Sequence, residues 1–186
     1  MEVCERSRRG ARRLVDRLYR EYGRFNVRAE TYHVSHERFV DRRTRFARAG
    51  VGQVRVWLTN DDDDLLLVRS PSGTTWRLPE TAAGTNESVE SAAIRCVEEA
   101  AGIQALLTGL YQVRRLRIVD ETAPESVLHL VCAGFDAVAV EQVRGAAGGE
   151  TLADWFASPP PAVSPVVDAR PEAWNRENSF SAGRAR

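Results

Sequence analysis

Two amphipathic helices with a strand between them are predicted at the start of the chain. Leu14 and Leu18 lie four positions apart within residues 2–22, and this spacing places apolar side chains on one face of a helix. Residues 36–48 carry a second apolar stripe at helical spacing, and residues 26–34 favour a short strand. The hydrophobic pattern therefore begins as helix, strand and helix.

A hairpin is predicted next. Apolar and polar residues alternate over residues 51–59, as in a strand with one buried face, and residues 65–69 form a second apolar run. Four aspartates occupy the polar segment 60–64 between these strands. Consecutive loop residues cannot all converge on one ion, and the spacing of a calcium-binding loop is absent. We therefore interpret this segment as a solvated turn.

The rest of the chain predicts a loop, a helix and further strands. Residues 80–86 are rich in Ala, Thr and Gly, which indicates a loop. A helix over residues 87–101 follows, with Thr85 or Asn86 as its cap and Gly102 as its stop. The later elements are strands over 105–119 and 127–140, a polar loop over 120–126, a short strand over 151–156 and a short helix over 171–176.

This order of elements predicts a mixed α/β sandwich. We expect three parts: a basic N-terminal helical extension over residues 1–50, the main domain over residues 51–176, and a disordered tail over residues 177–186. A chain of 186 residues that is 43% hydrophobic is large enough to bury a core of this kind.

Composition excludes several classes of protein. No apolar run is long enough to span a bilayer, and no signal peptide is recognisable, so we expect a cytoplasmic protein without a membrane partner. The three cysteines are far apart and form no CxxC pair, which argues against a disulfide framework or a zinc cluster.

The charge is unevenly distributed, although the chain is neutral overall. Residues 1–50 hold 14 arginines against seven acidic residues, whereas residues 51–186 hold 12 arginines against 19 acidic residues. A basic segment of this kind can bind nucleic acid or mediate oligomerisation. It can also pack on an acidic body, and we favour packing; a nucleic-acid partner is therefore not expected, and a homodimer is left open.

The segment 76–103 partly matches a known sequence signature. The signature is G-x5-E-x7-R-E-U-x-E-E-x-G-U, in which U is a bulky apolar residue. Six of its nine specified positions match without a gap, and Leu78-Pro79 provides the usual lead-in. The matching residues are Glu87, Arg95, Val97, Glu99, Gly102 and Ile103. In this pattern the chain resembles the Nudix family over about residues 51–176. The resemblance implies a Nudix-type α/β/α sandwich with a mixed sheet, to which the N-terminal helical extension is added.

The departures from the signature concern the metal site. Thr81 replaces the first Gly, Cys96 replaces the Glu after Arg95, and Ala100 replaces the second of the paired Glu. Positions 96, 99 and 100 share one sector of a helix, because residues three and four apart are neighbours. That sector therefore keeps one carboxylate, Glu99, where the signature has three.

The resemblance implies a role for each remaining residue. Glu87, Arg95 and Glu99 would be catalytic, and Glu99 would ligate Mg²⁺ or Mn²⁺. Glu98 and Glu150 are further candidate metal ligands, and Glu80 could also reach in from the loop. The alternative is that Glu87 and Arg95 only hold the loop against the helix.

Two functions therefore remain open. The first is a metal-dependent pyrophosphatase of the Nudix type, which hydrolyses a nucleoside-diphosphate-linked substrate with a weakened or rearranged magnesium site. The second is an inactive Nudix domain that acts as a nucleotide sensor or as a protein-interaction module. We expect a nucleotide-like small molecule as partner. The replacements at Cys96 and Ala100 leave open whether the chain is an enzyme.

Overall fold

A computed structural model of the chain describes residues 2–142 and 151–164. These residues form three helices and seven strands. In chain order the elements are α1 Glu2–Tyr22, β1 Asn26–Val34, α2 His36–Ala49, β2 Gly52–Thr59, β3 Leu65–Arg69, β4 Glu80–Ala82, α3 Val89–Ala101, β5 Ile103–Asp120, β6 Ala123–Gln142 and β7 Leu152–Phe156. The candidate ligand Glu150, the predicted helix over residues 171–176 and the predicted tail over residues 177–186 lie outside the described residues.

One mixed sheet contains all seven strands. Its order is β1-β5-β6-β2-β3-β7, and β4 pairs with β2 beside this path. Strand β1 runs parallel to β5, and β2 runs parallel to β6, whereas β5 and β6 form a long antiparallel pair. Both parallel pairs therefore join a strand of the first 60 residues to a strand of the later half of the chain.

Helices cover both faces of this sheet. On one face α1 and α3 pack against alternate residues of β6, including Val131, Ala133 and Phe135. On the other face Phe39 and Phe46 of α2 pack against the intervening residues of β6, together with residues of β5. The two-residue period of a strand separates these two cores. The expected α/β/α sandwich with a mixed sheet and an N-terminal helix is confirmed.

The basic N-terminal segment is part of this packing. Leu18 of α1 is fully buried in the main core. All nine residues of β1 pair with β5, from Asn26 beside Gln112 to Val34 beside Asp120. The segment therefore packs on the body, as its charge suggested. The boundaries at residues 50 and 176 stay predictions.

Three local predictions were wrong. Residues 80–82 form β4 instead of a loop, because their backbone pairs with Gln53 to Arg55 of β2. Helix α3 begins at Val89 and is capped by Ser88, whose Oγ accepts a hydrogen bond from the Ser91 N–H at 3.0 Å. The predicted loop over 120–126 shrinks to two residues, because Asp120 accepts hydrogen bonds from the N–H and hydroxyl of Thr122 and closes a tight turn.

Among the described residues, no helix combines the length and the apolar composition that crossing a bilayer requires.

Candidate functional site

On α3 the signature residues Arg95 and Glu99 lie on the side of the helix that is at least partly exposed. Its opposite side buries Ala92, Ala93 and Val97 against the sheet, which fixes the rotation of the helix. Gly102 ends α3 in the left-handed conformation at φ 65°, and its N–H donates to the Glu98 carbonyl at 2.8 Å. A side chain with a Cβ rarely adopts this conformation, so the signature glycine is the stop that was predicted.

Arg95 connects the helix to the loop before it. Its Nε donates to Glu87 Oε1 at 2.7 Å and its Nη2 donates to Glu87 Oε2 at 2.9 Å, which makes a bidentate pair. The same Nη2 lies 3.2 Å from the carbonyl oxygen of Ala82, at the end of β4. On the loop side, the Gly84 N–H donates to Glu87 Oε2 at 2.7 Å. These bonds hold the segment between β4 and α3 in one conformation.

Glu99 belongs to the same network. Arg95 Nη1 donates to Glu99 Oε2 at 3.0 Å, although the Glu99 side chain is 62% exposed. The three predicted catalytic residues, Glu87, Arg95 and Glu99, are therefore brought together around one guanidinium group. The contacts of Arg95 with Glu87 and Ala82 hold the loop against the helix, whereas its contact with Glu99 lies within α3.

The electrostatics follow from these pairs. The Arg95 guanidinium and the Gly84 N–H stabilise the Glu87 carboxylate and lower its pKa to about 2. The hydrogen bonds to Glu87 and Glu99 raise the pKa of Arg95 against the opposing effect of desolvation. Glu87 and Arg95 therefore form an ion pair at neutral pH.

The sector that should hold a metal ion is poor in ligands. Cys96 is only 5% exposed, and burial raises the pKa of its thiol to about 12, so it stays neutral. Ala100 offers a methyl group, and Glu99 is already bonded to Arg95. Within residues 2–142 and 151–164, no group of three or more His, Cys, Asp or Glu side chains is placed to hold a metal ion. Mg²⁺ needs several oxygen ligands, so the residues present there do not fit this ion.

The other candidate acids lie apart from that sector. Glu98 is exposed on α3, one residue from Glu99 and therefore about 100° around the helix. Glu80 pairs with Arg55 of β2, whose Nη2 donates to Glu80 Oε2 at 2.7 Å. Glu150 lies outside the described residues. Arg55 was not foreseen as a partner, because only the register of β4 on β2 places it opposite Glu80.

A cleft that the sequence did not indicate opens next to β4, on the face of the sheet that α2 covers. It has a volume of about 650 Å³ and is bounded by α2, by the start of β2 and by β4. Three arginines of α2 line it at positions 38, 42 and 45. Their spacing of four and three residues places them on one face of a helix, and this spacing can be recognised in the sequence. Only the fold shows that this face lies beside β2 and β4.

Comparison with protein families matched one model, described as NUDIX domain, over residues 51–175. Among solved structures, the chain is similar to that of a UDP-X diphosphatase, with 18% identity and a TM-score of 0.50 over 67% of this chain and 60% of that chain. Less than two thirds of that neighbour is therefore covered, and at this identity the likeness shows the fold.

Two further neighbours are a NUDIX hydrolase from Nitrosomonas europaea and an ADP-ribose pyrophosphatase from Streptococcus suis. The first has 23% identity and a TM-score of 0.41 over 68% of this chain and 80% of that chain. The second has 19% identity and a TM-score of 0.44 over 60% of this chain and 78% of that chain. The search of curated proteins found no match.

Proposed function

Since this chain belongs to the Nudix family, we propose that it is a Nudix domain that binds a nucleotide-like ligand carrying a pyrophosphate group without hydrolysing it. The observation that carries this proposal is the state of positions 96, 99 and 100 on α3. They supply a buried neutral thiol, a carboxylate bonded to Arg95, and a methyl group.

The replacement of the metal-binding carboxylates at positions 96 and 100 argues against hydrolysis of the pyrophosphate. Hydrolysis of a pyrophosphate by a metal-dependent enzyme requires a bound ion that offsets phosphate charge and activates water. One carboxylate that also serves as an ion-pair partner cannot replace three that converge on one point. The described part of α3 thus keeps the residues that stabilise the loop and lacks those that would hold the ion.

The features of a binding site are retained. The segment between β4 and α3 is fixed by Glu87 and Arg95, so ligand binding need not order it. The adjacent cleft of about 650 Å³ falls within the range of roughly 300–1,000 Å³ that is common for small-molecule sites. A nucleotide-like ligand is the class that the family resemblance implies.

A second candidate is hydrolysis through a rearranged site, with Glu87, Arg95 and Glu99 as catalytic residues. The observation that favours it is the exposure of Glu98 and Glu99, which are adjacent on α3 and open to solvent. In this proposal Glu98, Glu99 and Glu150 would hold Mg²⁺ or Mn²⁺. Cytoplasmic location and a homodimer likewise stay predictions.

One experiment separates the two candidates. The full chain is mixed with ADP-ribose, UDP-glucose or dGTP, with and without Mg²⁺ and Mn²⁺, while melting temperature and release of phosphate or monophosphate are measured. We expect at least one ligand to raise the melting temperature and none to be cleaved. Metal-dependent cleavage that Glu99→Gln abolishes and Glu125→Gln preserves would overturn the proposal in favour of the second candidate. If the melting temperature does not rise with any ligand, the proposed binding is wrong.

A further inference from the structure

The N-terminal segment supplies one wall of the cleft next to β4. Arg38, Arg42 and Arg45 extend along one wall, which is the exposed side of α2. The opposite wall comes from β2 and β4, including Arg55 and Glu80. Because the family match begins at residue 51, the α2 wall is a feature of this chain beyond the part that the family model describes.

The cleft has an excess of positive charge. Four arginines and two acidic residues line it. Arg45 pairs with Asp41 at 3.0 Å, and Arg55 pairs with Glu80 at 2.7 Å. Arg38 and Arg42 have no ion-pair partner among the described residues. Within residues 2–142 and 151–164, two guanidinium groups on neighbouring turns of α2 therefore lack a neutralising carboxylate.

The base of the cleft is less polar than its α2 wall. Phe46, Leu130 and Cys132 contribute to the lining and are buried. Gln53 adds an amide that can donate and accept hydrogen bonds. A ligand that fits these surfaces has an anionic end beside the arginines and a less charged end toward the base.

We propose that Arg38 and Arg42 bind the pyrophosphate of a nucleotide-like ligand in this cleft, an inference that rests on the proposed function and locates its ligand. The planar guanidinium group presents paired N–H donors that match two phosphate oxygens, so neighbouring arginines suit a pyrophosphate in particular. The α2 helix thus supplies anion recognition, and β2 and β4 supply the surface for the rest of the ligand.

The test is calorimetric titration of the full chain in metal-free buffer containing EDTA. The probes are ADP-ribose, ADP, AMP, inorganic pyrophosphate and a single-stranded oligonucleotide. The variants are Arg38→Gln, Arg42→Gln and the two combined. The control is Arg43→Gln, which removes the same charge as either single variant from an exposed residue of α2 that does not line the cleft. Melting temperatures of all variants are measured to establish that they fold.

We expect the double variant to bind ADP and ADP-ribose at least about tenfold more weakly than wild type, and Arg43→Gln to bind within about twofold of wild type. AMP should bind more weakly than ADP, and pyrophosphate should compete with ADP. Unchanged affinity in the folded double variant would overturn the cleft assignment while leaving the proposed binding function intact.

Three other outcomes would also be decisive. An equal loss in Arg43→Gln would attribute binding to the general charge of α2 and overturn the inference. Binding of the oligonucleotide more tightly than ADP, with the same dependence on Arg38 and Arg42, would assign the surface to nucleic acid instead. Failure of wild type to bind any small-molecule probe would contradict the proposed function itself.

Discussion

Arginines in two neighbouring regions of the molecule differ in what their guanidinium groups contact. Arg95 on α3 donates to Glu87, Glu99 and the Ala82 carbonyl. Arg38 and Arg42 on α2 face a cleft and have no carboxylate partner among the described residues. A guanidinium group whose donors are satisfied by the protein stabilises the fold, whereas one without partners is available to a ligand. From this difference we propose a structural role for Arg95, and we propose that the arginines of α2 recognise the ligand.

The largest expected effect is on stability, from Arg95→Gln. Removing the guanidinium group breaks the bridge between β4, the loop and α3, and we expect a loss of about 2 kcal/mol, reduced from the value for buried pairs because Arg95 is partly exposed. Denaturant unfolding measures the change. Arg42→Gln, which removes a guanidinium group without a protein partner, should change the free energy of unfolding by less than about 0.5 kcal/mol. Equal losses of unfolding free energy in the two variants would show that Arg95 stabilises the fold no more than Arg42 does.

Restoring carboxylates to α3 should increase the affinity of this helix for a divalent metal ion. Cys96→Glu with Ala100→Glu returns three acids to one sector, and we expect Mn²⁺ to bind at least about tenfold more tightly, or about 1.4 kcal/mol. Titration followed by calorimetry measures the affinity. The matched control is Cys96→Gln with Ala100→Gln, which has similar volume without the charge. Equal affinities in the two folded variants would mean that the sector is shaped for something other than an ion.

The cap of α3 should give a smaller effect. Ser88→Ala removes the hydroxyl that accepts from the Ser91 N–H, and we expect a loss of about 0.5–1 kcal/mol in thermal or denaturant unfolding. Asn86→Ala is the control, because Asn86 was the cap expected from the sequence and Ser88 occupies that role. A larger loss for Asn86→Ala would place the helix start at Asn86 after all.

The smallest effect is the dependence of stability on pH that comes from Glu87. Its pKa is lowered to about 2 in the folded chain, so its contribution is present above its unfolded pKa, near 4.5, and is lost as pH falls toward 2. Stability measured from pH 6 to pH 3 should therefore fall less steeply in Glu87→Gln than in wild type. Parallel curves for the two proteins would show that the Arg95 pair contributes little.

Local chemistry explains which features were predictable from the sequence. The spacing of Glu87, Arg95 and Gly102 indicated α3, its stop and the family, because a helix and its signature are defined within about 25 consecutive residues. Hydrophobic alternation located β2, and the strands predicted over residues 105–119 and 127–140 fall within β5 and β6. The replacement at Cys96 was visible too, and the structure adds that this thiol is buried and neutral.

Other features depend on pairing between distant residues and were not predictable in the same way. Residues 80–82 have a loop-like composition, and only their register on β2 makes them a strand and places Glu80 beside Arg55. The cleft has the same origin, because no local pattern states that the arginines of α2 border β2 and β4. The cap of α3 lies at Ser88, because its Oγ accepts a hydrogen bond from the Ser91 N–H.

The parallel pairing of β1 with β5 has a consequence for the order of folding. Asn26 lies beside Gln112 and Val34 beside Asp120, so a strand that is synthesised early finds its partner only when the chain has grown past residue 120. Bringing β1 and β5 together closes a long loop, and the chain loses conformational entropy before the pairing of the strands can stabilise the fold. We therefore expect the α2 wall of the cleft to reach its final position late, after the sheet that it covers has formed.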